Sequence, residues 1–451
     1  MSLYTEHRNR LLETLARTRT AAIVPTATPK VRNHDAQYRF RPSSDFWYLT
    51  GFAEPGSVLV LLPDGIDSGD ETDRGVRSIL FLRDRDALRE IWDGRRLGVE
   101  RAPEGLGVDR AHDIEELWEH LPALLKGYER VMYRTGEDDA RDLRLLEVVA
   151  QLRARARGGV HPPVELVDTA PLVHEQRLLK SPAELDIMRR AAEITREAHM
   201  GAMELAAPGV NECEVDAFLD YTFRRRGGTG AAYTSIVAGG VNACILHYIE
   251  NDQPLRDGDL LLIDAGSEVD HYASDVTRTF PVDGTFNPEQ RAIYEVVLEA
   301  EQAAIDLVKP GVPHDRIHRT ALEVLVRGLL RLGLLEGTEE SVIADETYRR
   351  FFMHGTSHWL GLDVHDCGAY AIARDSRPLE AGMVFTVEPG IYIGEDDETV
   401  EARWRGIGVR IEDDVLCTED GHEVLTEAIP RSIEGVEAAC RGQQLEATAS
   451  S

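Results

Sequence analysis

Lysine is nearly absent from this chain: Lys30, Lys126, Lys180 and Lys309 are the four among 50 basic side chains in 451 residues. Arginine carries the rest, a bias that a GC-rich genome produces; adaptation of an acidic surface to high salt is the alternative. Positive charge as a whole is short, 50 basic against 80 acidic residues, for a formal net charge of -30. Such a field repels polyanions and excludes nucleic acid and anionic membrane surfaces as partners. Cysteine is scarce and scattered. Cys213, Cys244, Cys367, Cys417 and Cys440 form no CxxC pair and are odd in number, which excludes a disulfide framework or zinc knuckle and points to a reducing compartment. No apolar run is long enough to span a membrane, and residues 1–10, with Glu6, His7, Arg8 and Arg10, lack the apolar core of a signal peptide. The expectation is a soluble, cytoplasmic protein. With 43% hydrophobic and 29% charged residues, the composition is that of a folded globular enzyme and not of a disordered chain.

The length points to two or three domains. Leu3, Leu11, Leu12 and Leu15 recur near helical spacing and predict a helix over residues 3–16. Apolar runs at 21–24, 57–62 and 78–82 predict strands, and helices are expected at 114–125 and 140–154. This alternation predicts an α/β domain over residues 1–170. Ser181 as cap, Pro182 in the first turn and Glu184 three residues after the serine then mark the start of a long helix ended by Pro208 and Gly209. Further helices are expected at 287–309 and 314–332, and strands at 259–266, 273–280, 383–387 and 408–416. Residues 171–441 therefore read as an α+β domain, with helices covering one face of an antiparallel sheet. Residues 442–451 read as a flexible tail.

Chemistry concentrates in that second domain. Leu260, Leu261, Leu262 and Ile263 run directly into Asp264, an expensive place for a charge. Asp275 lies on the next strand candidate, and a reversal at Val269 and Asp270 would set it directly opposite Asp264. Opposed side chains have Cβ atoms about 4.5–5.5 Å apart, so like charges there destabilise a sheet unless a cation neutralises them. One carboxylate facing solvent at a sheet edge is the alternative. Residues 354–365 hold His354, His358 and His365; Gly355 stands where a HExxH zinc helix needs its glutamate, and with Gly361 it favours an irregular turn. Glu388 follows an apolar strand candidate and precedes Pro389 and Gly390, while Arg410 and Glu412 share one face of another. Each glutamate alone reads as a solvated strand end. Together these residues offer four carboxylates and one or more imidazoles with no thiolate, which suits Mn²⁺ or Co²⁺ over structural Zn²⁺. Four carboxylates outweigh one divalent ion, so two ions are expected, an arrangement suited to metal-assisted hydrolysis.

In this order and these contexts, Asp264, Asp275, His358, Glu388 and Glu412 resemble the ligand series of the pita-bread metallopeptidases. That family includes methionine aminopeptidase, prolidase and aminopeptidase P, with creatinase as a relative that lacks metal. Residues 38–52 and 91–98, containing Trp47 and Trp92, are similar to the N-terminal domain of bacterial aminopeptidase P. The resemblance implies a smaller creatinase-like α/β domain before a pita-bread catalytic domain, and two divalent ions per subunit, Mn²⁺ first and Co²⁺ or Zn²⁺ next. It implies hydrolysis of the N-terminal Xaa-Pro bond of peptides with proline second, by a metal-bridging hydroxide. Asp264 would chelate one ion, His358 and Glu388 the other, and Asp275 and Glu412 would bridge them. Glu388 would also shuttle a proton, His365 would meet the oxyanion, and His247 and His354 would line the proline subsite. Arg410 would orient ligands or bind substrate carbonyls. Trp92 would reach the site of a neighbouring subunit in a tetramer, with a dimer as the alternative oligomer. A prolidase restricted to dipeptides and a peptide-binding module without turnover are the competing readings.

Overall fold

The computed structural model describes residues 2–66 and 71–442, so most of the expected tail lies outside the described residues. The chain divides into two compact units after Arg177, seven residues beyond the expected boundary at 170.

The first unit is built on a six-stranded mixed sheet. Its order is Arg110–Asp113, Ser78–Leu82, Val58–Leu61, Thr20–Pro25, Arg130–Met132 and Glu165–Val167. The strands Val58–Leu61 and Ser78–Leu82 are buried at every position, which is why they read as continuous apolar runs and not as alternating ones. The helix Asp139–Ala154 lays Leu145, Val148, Val149 and Leu152 inward at helical spacing. The helix Leu3–Arg17 does the same with Leu11, Leu12 and Leu15.

In the second unit the helix Pro182–Leu205 begins as expected. Ser181 Oγ accepts from Glu184 N at 3.4 Å, and Glu184 Oε2 accepts from Ser181 N at 2.8 Å, so two otherwise orphaned amides are satisfied reciprocally. Pro288–Asp306, capped by Asn287, and Asp315–Arg331 pack against each other. With Pro182–Leu205 they close over short antiparallel sheets, the central one being Ile236–Gly239, Leu260–Asp264 and Thr277–Pro281.

Two expectations are corrected. The hairpin turns at Asp270 and His271, both at positive φ (47° and 67°), and not at Val269 and Asp270. Two consecutive positive-φ residues make the type I′ loop whose twist matches that of the strands it joins. Asp264 therefore pairs with Thr277, and Asp275 sits one repeat closer to the turn on the same face, a diagonal neighbour. The strand expected at 408–416 is two strands, Ile407–Arg410 and Asp413–Cys417, which pair with Gly390–Ile393 and Val384–Val387 respectively. Glu412 lies in the break.

Gly266 permits the close approach of the hairpin's arms, because a Cβ there would lie 1.7 Å from the carbonyl oxygen of Ser274. Gly266→Ala is expected to force the backbone between Asp264 and Asp275 apart and to cost about 1–3 kcal/mol or more, as overpacking does. Urea unfolding of the metal-free protein, followed by circular dichroism, measures this; an unchanged midpoint would show that the hairpin relaxes freely.

Candidate metal centre

Backbone ladders bring four separate segments to one point. Residues 356–360 run beside the strand Val384–Val387, with Glu388 N donating to Thr356 O (2.8 Å), Thr386 N to His358 O (2.9 Å) and Leu360 N to Val384 O (3.0 Å). That pairing sets His358 and Glu388 side by side: His358 Nε2 is 3.8 Å from Glu388 Oε1 and 3.4 Å from Asp275 Oδ2. His358 Nδ1 lies 3.1 Å from its neighbour's carbonyl, Trp359 O, and as donor there it leaves Nε2 directed at the carboxylates. Glu412 N donates to Thr277 O at 3.1 Å, and Thr277 Oγ1 donates to Glu412 Oε2 at 2.6 Å. The broken strand is thereby pinned to the hairpin. Ligand atoms of Asp275, His358 and Glu412 all lie within 4.8 Å of one another.

These groups face a cavity of about 370 Å³ lined also by Asp264, His247, His354, His365 and Arg410. Nine of the ten expected site residues thus meet in one place. Trp92 belongs to the first unit, on the helix Ala87–Asp93, and is 85% exposed.

Tyr233 is a site residue that sequence reasoning missed. Its hydroxyl lies 2.7 Å from Asp264 Oδ1 and 2.5 Å from Asp275 Oδ1, so a single O–H proton sits between two carboxylates and can satisfy only one at a time. Burial, and then both carboxylates, push this phenol far above its ordinary range. Nothing in the stretch Gly230 to Ser235 marks the tyrosine for this position. Tyr392 was missed as well. It accepts from Arg410 Nη1 (3.1 Å) and donates to His354 Nε2 (2.8 Å), whose other ring nitrogen donates to Gly355 O at 2.6 Å. Burial, with help from Arg410, lowers His354 to about 4, so its ring is neutral and both nitrogens are engaged. His365 packs edge-on to His358, ring centroids 4.4 Å apart, and burial holds it below its usual range.

Crowding dominates the electrostatics. Burial drives Glu388 up to about 7 against the opposing pull of His358 and Arg410. Burial and the neighbouring carboxylates push Glu412 well above the carboxylate range, and burial likewise raises Asp264. Burial would lower His358, but Asp275 and Glu388 raise it to about 9. Arg410 Nη2 donates to Asp264 Oδ2 at 2.5 Å. Each Asp264 oxygen keeps a lone pair beyond these contacts. Asp264, Glu388, Glu412 and His358 thus hold protons more tightly than in water, and a site of four carboxylates and one imidazole in this condition fits divalent cations, which would take the protons' place. Asp264, Asp275, His358, Glu388 and Glu412 would hold them.

A model of metallopeptidase family M24 matches residues 186–419, and a model of the aminopeptidase P N-terminal domain matches residues 4–133. The chain belongs to metallopeptidase family M24. It is 46% identical to a Xaa-Pro aminopeptidase of Escherichia coli over 93% of each chain. Its structure is similar to aminopeptidase PepP of Pseudomonas aeruginosa, with a TM-score of 0.92 and 47% identity over 97% of each chain. It is also similar to zinc-substituted E. coli aminopeptidase P in complex with product, with a TM-score of 0.92 and 44% identity over 99% of this chain and 100% of that one. The α+β unit is accordingly the pita-bread domain, and the α/β unit is of the aminopeptidase P N-terminal type.

Metal uptake should release protons. Below about 7 Glu388 is protonated, and up to about 9 His358 is, so the apparent affinity should rise as pH climbs from 6 to 9. Calorimetric titration with Mn²⁺ in buffers of different ionisation enthalpy reads the proton count. In the same assay Asp264→Asn and His358→Ala, each lacking a donor, should bind at least about tenfold more weakly. Wild-type affinity in both variants would remove these residues from the ligand set.

Proposed function

We propose that this chain is a dinuclear metal-dependent Xaa-Pro aminopeptidase, removing the N-terminal residue from peptides whose second residue is proline. The observation that carries the reading is the cavity joining the carboxylate and imidazole set to an apolar wall of Ile236, Leu246, Ile249 and Val364 beside His247, in a chain matching aminopeptidase P over both domains. Such a wall accepts a pyrrolidine ring, and polar groups at one end fix its orientation.

When bound, a pair of divalent ions polarises the scissile carbonyl and supplies a nucleophile near neutral pH; the oxygen-rich donor set favours Mn²⁺. The chain's own residues complete the chemistry. Glu388 lines the cavity beside His358, where its carboxylate can take up a proton and return it to the leaving proline nitrogen. His365 lines the cavity as a neutral ring whose N–H can meet the carbonyl oxygen as charge develops on it. Arg410 is tied to Asp264, Thr277 and Tyr392, which favours a role in orienting Asp264 over one in gripping substrate. His354, with both nitrogens engaged, contributes ring surface to the subsite, and His247 the opposing polar edge.

Among the described residues no helix is long and apolar enough to cross a membrane, and all five cysteines are free; we read the compartment as the cytoplasm. Leu88, Ile91 and Trp92 stand 76%, 77% and 85% exposed on one short helix, an apolar patch that supports an oligomer in which Trp92 is covered by another subunit.

Mn²⁺-loaded protein should cleave Xaa-Pro-Xaa tripeptides. Hydrolysis of Xaa-Pro dipeptides alone would make it a prolidase, and no hydrolysis of either a binding module. His365→Ala should keep its metal and lose about a hundredfold to a thousandfold in kcat, the value of an oxyanion donor. Near-normal turnover with unchanged metal content would make His365 scaffold.

A further inference from the structure

A second cluster of metal-ligating side chains lies in the first unit, with no part in the chemistry above. His112 comes from the edge strand Arg110–Asp113, where it is in register with Phe81. Glu116 stands at the start of the helix Leu117–Leu124, and His120 follows one turn later. From these residues we propose a separate divalent-metal site held by His112, Glu116 and His120, of the borderline class to which Zn²⁺ belongs.

The distances carry the proposal. Glu116 Oε2 is 3.5 Å from His112 Nδ1 and 3.7 Å from His120 Nε2. Both contacts are longer than a good hydrogen bond, whose donor and acceptor lie about 2.7–3.2 Å apart. They are close to the roughly 3.3–3.4 Å that separates ligand atoms around a tetrahedral zinc with bonds near 2.0–2.1 Å. Candidate ligand atoms of all three residues fall within 4.8 Å of one another, so a small inward movement closes the set on an ion.

The rings are also held for the task. Phe81 stacks on His112 with centroids 5.5 Å apart and meets His120 edge-on at 5.8 Å, while the two imidazoles lie 4.4 Å from each other. An aromatic floor behind both ligands limits their rotation away from the carboxylate. The nearby Arg110 is occupied by Asp73, Nη2 to Oδ1 at 2.7 Å, which offsets its repulsion of a cation. Side-chain exposures of 24% for His112, 51% for Glu116 and 36% for His120 leave the outer side open to water as a fourth ligand. Two imidazoles and one carboxylate select Zn²⁺, Ni²⁺ or Cu²⁺ over Mg²⁺ or Ca²⁺. An ion here would clamp the sheet's edge strand to the following helix and stabilise the first unit by mass action.

Full-length protein equilibrated with micromolar free Zn²⁺ by dialysis provides the test, with metal counted per chain. The wild type should hold one equivalent more than the His112→Ala/His120→Ala variant, and Zn²⁺ should raise the unfolding midpoint more in the wild type. Both proteins should cleave tripeptides alike, since neither position belongs to the peptidase cavity. Equal zinc content would overturn the site. Should the double variant not fold, Glu116→Gln, a change at an exposed side chain, decides. It should weaken the extra Zn²⁺ by at least about tenfold, and wild-type affinity in it would equally overturn the proposal.

Discussion

Mutual repulsion among four buried carboxylates is the constraint around which the second unit is organised. Asp264, Asp275, Glu388 and Glu412 converge in one cavity, where water screens their repulsion poorly and burial raises the pKa values of Asp264, Glu388 and Glu412. The fold does not avoid the conflict; it enforces it. Each carboxylate is delivered by a strand end or strand break whose backbone is hydrogen-bonded to a neighbour, so none can swing away without breaking a ladder. Arg410 and Tyr233 relieve the repulsion only in part. The remaining negative charge is the driving force for cation binding.

Behind the cavity a second polar layer holds those strand ends in place. Glu412, Asp413 and Asp414 are consecutive, yet each serves a different partner. Glu412 faces the cavity. Asp413 turns to Arg278, Arg431 and Thr426, at 2.7, 2.7 and 2.6 Å. Burial would raise it, but the two arginines hold it below the usual carboxylate range. Asp414 accepts from Ser274 Oγ at 2.9 Å and from Asp275 N at 3.2 Å, fixing the backbone of one cavity carboxylate with the side chain of another strand. Arg278 also donates to Glu412 O at 2.7 Å. Buried ion pairs of this kind add little net stability over apolar packing. Their effect here is geometric, because they define where Asp275 and Glu412 can stand.

How much of this was legible in the sequence depended on whether the signal was local. Apolar runs in the first unit, the Ser181 to Glu184 capping box and the carboxylates at strand ends all announce themselves within a few residues. Gly355 and Gly361 correctly argued against a helix, and residues 354–365 contain none. The hairpin register did not announce itself, because Val269, Asp270 and His271 allow two turn placements and only the sheet's twist selects the type I′ loop. Asp264 and Asp275 line one cavity as diagonal neighbours and not as the direct opposites expected. The break at Ile411 and Glu412 was hidden for a similar reason: alternation continues through it, and only the change of partner from Gly390–Ile393 to Val384–Val387 reveals it. Tyr233 and Tyr392 carried no signal, since a tyrosine comes to lie between two carboxylates, or between an arginine and a histidine, only through what the fold brings to it.

The same cavity assigns opposite protonation states to similar side chains, and this division gives the site its chemistry. His354 and His358 are four residues apart. One, lowered by burial and by the charge of Arg410, is neutral; the other, which burial would lower but Asp275 and Glu388 raise, retains its proton to about 9 without metal. Replacing that proton with an ion converts His358 from a cation into a neutral donor, which removes the charge that had pulled down the Glu388 pKa. The ion restores more positive charge than it displaces. With that added charge Glu388 would give up its proton more readily than in the metal-free site, as a ligand must. In the metal-free site burial raises Glu388, His358 and Arg410 pull it down and the neighbouring carboxylates raise it again, and it is this balance that sets its pKa at about 7.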